Sequence, residues 1–229
     1  MPKLKPQEIE QRRQEIVEAA RACFIRSGFH QTTTDEICRE AAITPGGLYH
    51  YFPSKEEIIK AVAEDANRRA LDVLQSTAAQ SPDPRSALRS VGIFFFRSVY
   101  EPDFDNVARL DLETWGESLR NQELARILDE GRAASRKAIT AVIKGAVDGG
   151  EYNPSVDPTG LANLFIAIYT GLRLSKLLSP RDVDVDSAFA ALRILIRGEL
   201  LTSAARALPD GLPLGQVQAP PQQRPAATP

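Results

Sequence analysis

The sequence is poor in groups that do redox or metal chemistry. Cys23 and Cys38 are its only cysteines, and His30 and His50 its only histidines. Both cysteines fall inside helical patterns with no spacing logic between them, which reads as two reduced core thiols and not a disulfide. With so few donors no recognisable zinc constellation can be assembled, so neither metal nor cofactor is expected. Long apolar runs are also missing. The densest patch, Ile93 to Phe96, is four residues long, against the roughly 20 residues that cross a bilayer. The N-terminus, Met1-Pro2-Lys3-Leu4-Lys5, runs straight into a charged amphipathic pattern and lacks the apolar segment of a secretory signal. A cytoplasmic protein without membrane contact is the expectation. An excess of charge is lacking too, with 28 Lys/Arg against 30 Asp/Glu, so the field of the whole molecule names no partner.

Strand signals are absent, because no sustained apolar alternation is bounded by Asn-Gly or Asp-Gly turns, whereas helical spacing recurs almost everywhere. The fold class is therefore all-α, and 229 residues are enough for one large domain or two modest ones. A first helix begins at Pro6, carries Ile9, Ile16, Ala20, Cys23 and Phe24 on one face, and stops at Gly28. Thr33 and Glu36 stand in capping-box spacing and open a short helix that ends near Glu40. Thr44 then caps a second short helix with Pro45 at its first position, ending near Tyr51. Phe52-Pro53 breaks the chain, and Ser54 with Glu57 launches a longer helix on Ile58, Ile59, Val62, Ala66 and Val73. Beyond the turn at Gln80 to Pro84 the helices lengthen: Pro84 to Tyr100, Phe104 to Leu119, Asn121 to Val147, Pro158 to Leu178 and Val185 to Ala205.

Two short helices joined by a three-residue turn can set one helix in the major groove while its neighbour braces the backbone. Such pairs also occur as plain packing units, so the side chains decide. Gly46 and Gly47 each cost about 1 kcal/mol against alanine in a helix. They suit a helix whose N-terminus presses on base edges, with Pro45 offering an apolar surface to a thymine methyl. Thr33, Thr34, Thr44, Tyr49, His50 and Lys55 are hydroxyls and donors of the kind that reach phosphates. Ile37, Ile43, Leu48 and Phe52 read as the small core beneath.

Gly28-Phe29, Thr32-Thr33, Ile37, Ala41, Gly46, Leu48-Tyr49-His50-Tyr51-Phe52 and Ser54-Lys55-Glu56-Glu57 together resemble the signature of TetR/AcrR-type transcriptional repressors, over roughly the first 60 residues. One departure is Ala42, where the family usually has glycine; a positive φ there strains alanine by about 1 kcal/mol. The resemblance implies a homodimer whose two recognition helices enter successive major grooves of a near-palindromic operator, with an effector in the second domain changing their separation. It implies phosphate contacts from Thr33, Thr34, Thr44, Tyr49, His50 and Lys55, and a base-facing surface of Pro45, Gly46 and Gly47. From Met1 to Lys55 there are eight Lys/Arg against seven Asp/Glu, so the DNA face must arise by segregation of charge. Lys3, Lys5, Arg12 and Arg13 fit equally a solvated helix face and further phosphate contacts.

The domains read as 1–55, a helix-turn-helix DNA-binding head; 56–207, a helical effector-binding and dimerisation domain; and 208–229, a Pro-rich tail too poor in apolar residues to order. Aromatic stripes at helical spacing are commonly core, but the family's effector cavity lies among such helices, which points to Phe96, Tyr100, Arg109, Leu112, Trp115 and Tyr169. An effector with a mainly apolar, aromatic body, flavonoid-like as one option, suits those rings. The last two helices are apolar on more than one face. Leu161, Leu164, Phe165, Ile168 and Leu172 form a stripe, Ala167, Gly171 and Ser175 a row of small residues, and Ala188, Ala191, Leu195 and Gly198 follow on the final helix, which suits a four-helix seam between two chains. Catalysis by Asp111 and Glu113 is the rival reading, disfavoured because residues two apart on a helix diverge. An adaptor with decayed DNA binding and a constitutive architectural DNA binder are weaker rivals. The expected function is an effector-released repressor of genes for efflux or effector handling, and not an enzyme.

Overall fold

The computed structural model describes residues 5–196, and all regular structure in that span is helical. Nine α-helices follow in order among the described residues: α1 (Pro6–Gln31), α2 (Thr34–Glu40), α3 (Pro45–Tyr51), α4 (Lys55–Ala79), α5 (Pro84–Arg97), α6 (Phe104–Ser118), α7 (Gln122–Asp148), α8 (Pro158–Leu178) and α9 (Val185–Ile196). A 3-10 turn over Ser98–Tyr100 extends α5. The boundaries follow the caps. Thr33, Thr44, Ser54, Asp83, Asn121 and Asp157 each accept a backbone N–H from the first turn that follows them, satisfying donors that a helix start leaves unpaired. The box at Thr33 is complete, with Glu36 returning to Thr33 N at 2.8 Å. At Ser54 the return arm differs from expectation: Glu57 pairs with Lys60 at 2.7 Å.

The head is built on α1 to α3 and the start of α4. Ile16, Val17, Ala20, Phe24, Ile37, Leu48, Phe52 and Ile58 are buried together, and α6 adds Leu110. Ile9, placed on the same face by periodicity, is 40% exposed, because the α1 core begins only at Ile16. Helix α4 is shared between cores. Its Ile58, Ala61 and Val62 belong to the head, Ala63 packs with Leu124, Ile127 and Leu128 of α7, and Leu74 packs with Leu88, Val91, Ile139 and Ile143.

Asp65 fixes α4 against α1. Only 2% exposed, its carboxylate accepts from Gln14 Nε2 at 2.9 Å and Arg69 Nε at 2.6 Å and pairs with Arg68. Burial alone would push this carboxyl up, but the bonds from Gln14 and Arg69 and the charges of both arginines hold it below the ordinary value.

By length and composition α8 could cross a bilayer, a result that counting unbroken apolar runs misses because Asn163, Thr170, Gly171 and Arg173 interrupt it. Two differing faces explain the composition. Ala162, Leu161, Phe165 and Ile166 pack toward α7 and α5. The opposite row is exposed: Leu164, Ala167, Gly171, Ser175 and Leu178. From Asp186 onward α9 belongs to a separate compact unit, with Ala191, Ile194 and Leu195 exposed. Gly198, the continuation to Ala205 and the Pro-rich stretch 208–229 lie outside the described residues.

Candidate functional site

The turn between α2 and α3 is held by an unusual residue. Ala42 has φ of +49°, and Ile43 N–H closes back on Cys38 O at 2.9 Å, the six-residue ring that ends many helices on a left-handed residue. Glycine would take this φ without strain, so alanine needs support. Arg12 supplies it, its Nη2 donating to Ala41 O at 3.1 Å and Ala42 O at 3.0 Å. Arg12 and Arg13 are thus engaged within the head, Arg13 lying 4.9 Å from the Phe52 ring centroid, and neither reads as a free phosphate contact.

Helix α3 displays Pro45, Gly46, Tyr49 and His50 to solvent, after the exposed cap Thr44. Tyr49 is 51% exposed. The two glycines differ sharply. A Cβ at Gly46 would meet nothing within 4 Å, whereas one at Gly47 would stand 2.7 Å from Ile43 Cγ1. Gly46 is open surface. Gly47 lets the helix close over Ile43, which gives this glycine a packing role beside the base-facing one expected of it. Thr33 and Thr44 both use their oxygens as cap acceptors, toward Glu36 N and Gly47 N, which leaves their O–H for an external acceptor only where it is not donated, as Thr33 donates to Glu36. Thr34 and Lys55, the first residues of α2 and α4, are half-buried. Arg39, exposed on α2, is a cation near this surface that the sequence reading passed over, having followed the caps and turns.

Behind the head, α4, α5, α6, α7 and α8 enclose a cavity of about 340 Å³, within the size range of small-molecule sites. Phe96, Trp115 and Tyr169 line it, Tyr169 tilted against Phe95 with ring centroids 4.7 Å apart. Three other sequence candidates stand elsewhere. Tyr100 is 56% exposed and borders a surface depression with Phe94 and Arg97. Leu112 lines a small recess beside the cavity. Arg109 is exposed, because position 109 falls on the α6 face opposite Asp111 and Trp115. The arginines in the wall are Arg21, Arg132 and Arg173.

The acids Asp111 and Glu113 part as their spacing requires. Asp111 pairs with Arg173 Nη1 at 2.8 Å; burial raises its carboxyl, against the charge and hydrogen bond of Arg173 and the charge of Arg21. Glu113 instead reaches α1. Its Oε2 accepts the Phe29 N–H at 2.6 Å, at the point where Gly28, with φ of +75° and ψ of 172°, interrupts the helix. A Cβ at Gly28 would lie 2.5 Å from Glu113 Oε1, so this glycine is needed for its φ and for the carboxylate's approach.

Residues 16–62 match the family described as bacterial regulatory proteins, tetR family, and residues 84–201 match the BetI-type transcriptional repressor C-terminal domain. The chain belongs to the TetR family. This regulator is similar to the HTH-type transcriptional regulator UidR of Escherichia coli K12, 27% identical over 194 residues that cover 83% of this chain and 94% of UidR. Its structure is similar to that of Salmonella enterica GusR, with TM-score 0.64, 27% identity, and 87% and 99% of the two chains covered. A transcriptional regulator from Saccharomonospora viridis, solved in complex with choline, shares the fold at TM-score 0.69 and 21% identity, over 82% and 96% of the chains. The TetR-family regulator is accordingly a helix-turn-helix transcriptional regulator, and the all-α architecture expected from the sequence is the one observed.

Proposed function

We propose that this regulator is a repressor which, as a homodimer, occludes a near-palindromic operator and is released when a small molecule enters the cavity behind the head. The observation that carries the reading is the bond from Glu113 to Phe29. Helix α6 supplies Leu110, Asp111, Thr114 and Trp115 to the cavity wall, and between those residues it sends Glu113 to the end of α1. A ligand that shifts α6 therefore acts on the α1 to α2 junction, and so on the angle of α3. Release requires only that the ligand favour the non-binding arrangement; a hundredfold loss of operator affinity needs about 2.7 kcal/mol of differential binding. Similarity of fold to a regulator holding choline supports the idea that this architecture admits small ligands.

On this reading residues 1–55 contact DNA through Thr34, Thr44, Pro45, Gly46, Tyr49, His50 and Lys55, and residues 56–207 bind the effector and the second subunit. The exposed row of α8, small at Ala167 and Gly171, suits close helix approach; α9, taken by itself, exposes Ala191, Ile194 and Leu195. Efflux and effector-handling genes are the proposed targets, and the cytoplasm the proposed compartment. Selection of bound fragments from random DNA tests the core of the proposal. It should yield a palindrome, and Lys55→Ala should weaken binding evenly across sequences while lowering the salt slope by about 1 per half-site. Recovery of no preferred sequence refutes it.

A further inference from the structure

We infer that the cavity takes an amphipathic anion, a planar apolar body carrying one carboxylate that Arg173 holds. The inference rests on the effector reading above and specifies its chemistry. Of the charged residues in the cavity wall, three are arginines, Arg21, Arg132 and Arg173, and one is an acid, Asp111. Arg132 is engaged at the solvent side by Asp129 at 2.5 Å. Arg173 is the inner one. Its side chain is 17% exposed, and its guanidinium lies 5.3 Å from the Tyr169 ring centroid and 5.8 Å from that of Phe104.

Asp111 engages Nη1, while Nε is shielded from solvent and has no acceptor among the described residues. An unmade hydrogen bond on a buried cation is costly, and folded proteins rarely leave one without a reason. The Nε–Nη2 edge is the second edge on which a guanidinium meets a carboxylate through two parallel bonds. A ligand carboxylate that reaches this edge by a small turn of the Arg173 side chain completes the donor set beside Asp111. Its charge also balances the surplus of arginine that Asp111 alone does not. The ring of Tyr169, tilted against Phe95, and the indole of Trp115 then face a flat apolar body. A neutral phenol leaves Nε as it is, and a quaternary ammonium brings like charge toward three arginines.

The test uses the full chain and follows Trp115, its only tryptophan. Benzoate, 2-naphthoate and 4-biphenylcarboxylate are titrated against the matching alcohols and against choline, with operator release measured in parallel. At least one acid should bind ten times or more tightly than its alcohol, and Arg173→Gln should remove that preference while leaving the alcohol's affinity within about twofold. Because Arg173→Gln strands Asp111, the double variant Arg173→Gln/Asp111→Asn serves as a folded control and should show the same loss. Equal binding of acid and alcohol, tighter binding of choline, or a preference for acid that survives both variants overturns the anion assignment and leaves the effector reading standing. If no probe changes Trp115 emission or releases operator, the effector reading falls and this inference with it.

Discussion

Glu113→Ala is the substitution that most directly separates coupling from binding. The carboxylate does not enter the cavity wall, yet it lies on the same helix as five residues that do, and it accepts the Phe29 N–H at 2.6 Å. Phe29 is 5% exposed, so truncation leaves a shielded donor unpaired. The cost is about 1–3 kcal/mol, and a chain of this size loses about 2–4 °C of melting temperature per kcal/mol. Amide exchange at Phe29 should accelerate in step. The larger effect should be on regulation. If the bond carries about half of a 2.7 kcal/mol coupling, its loss reduces a hundredfold release of operator to roughly tenfold. Operator affinity measured by anisotropy with and without ligand, alongside ligand affinity from Trp115 emission, gives both terms. A variant that binds ligand as before and still releases operator a hundredfold shows that the bond is only structural.

The other expectations concern the head and the seam. Gly47→Leu should destabilise the protein by about 1–3 kcal/mol through the clash with Ile43, whereas Gly46→Leu should hold or raise melting, by up to about 1 kcal/mol of helix propensity, and alter the preferred operator; the reverse pattern in melting curves and fragment selection contradicts the assignment of the two faces. Asp65→Asn should cost about 1–3 kcal/mol at neutral pH, less than a fully buried pair because Arg68 and Arg69 can turn to water. The folded Asp65 carboxyl lies below its unfolded value near 3.8, so its contribution is complete above about pH 4 and is lost as pH falls through the folded value. Denaturation midpoints of the two proteins should therefore converge on acidification, and a constant gap down to pH 2 refutes the linkage. Gly171→Glu, at an exposed position open to a Cβ, should leave the monomer fold intact and yield monomers with weak operator binding; sedimentation that still shows a dimer moves the seam elsewhere.

Local chemistry made the head legible. Caps, Pro at helix starts and the break at Phe52-Pro53 each act within four residues, so Thr33, Thr44 and Ser54 declare their helices without tertiary help. The strained φ of Ala42 was legible through the family resemblance, since the family usually has glycine at that position. Its remedy was not, because Arg12 stands 30 residues away in sequence and only the fold brings it to the turn. Gly46 and Gly47 show the limit of composition. Both are poor helix residues for the same intrinsic reason, but one faces water and the other Ile43, a difference set by the pitch of α3 against the end of α2. In the cavity the family resemblance pointed to Phe96, Trp115 and Tyr169, which line it, and also to Arg109, which is exposed on another face of α6. Arg173, on a different helix, could not be assigned to Asp111 before the packing of α6 on α8 was known.

The two acids on α6 give that helix its part in the regulator. At positions 111 and 113 they point about 200° apart around a helix of 100° per residue, so one carboxylate is directed to Arg173 and the cavity, and the other to Phe29 and the head. The divergence that counts against a catalytic pair is what a connecting element requires. On the proposed reading, a displacement of α6 that accommodates a ligand beside Asp111 would pass through a rigid helical segment of two residues to the hydrogen bond at the Phe29 N–H, next to Gly28, where α1 is already interrupted and therefore least costly to bend. Asp65, bound to Gln14 and Arg69, meanwhile holds α4 to the more N-terminal part of α1. The α1 segment before Gly28 is thus tied to α4 as well as packed on Leu110 of α6, while the junction after it is bonded to Glu113, so on the proposed reading Gly28 is the point at which motion of α6 against α4 would reach α2.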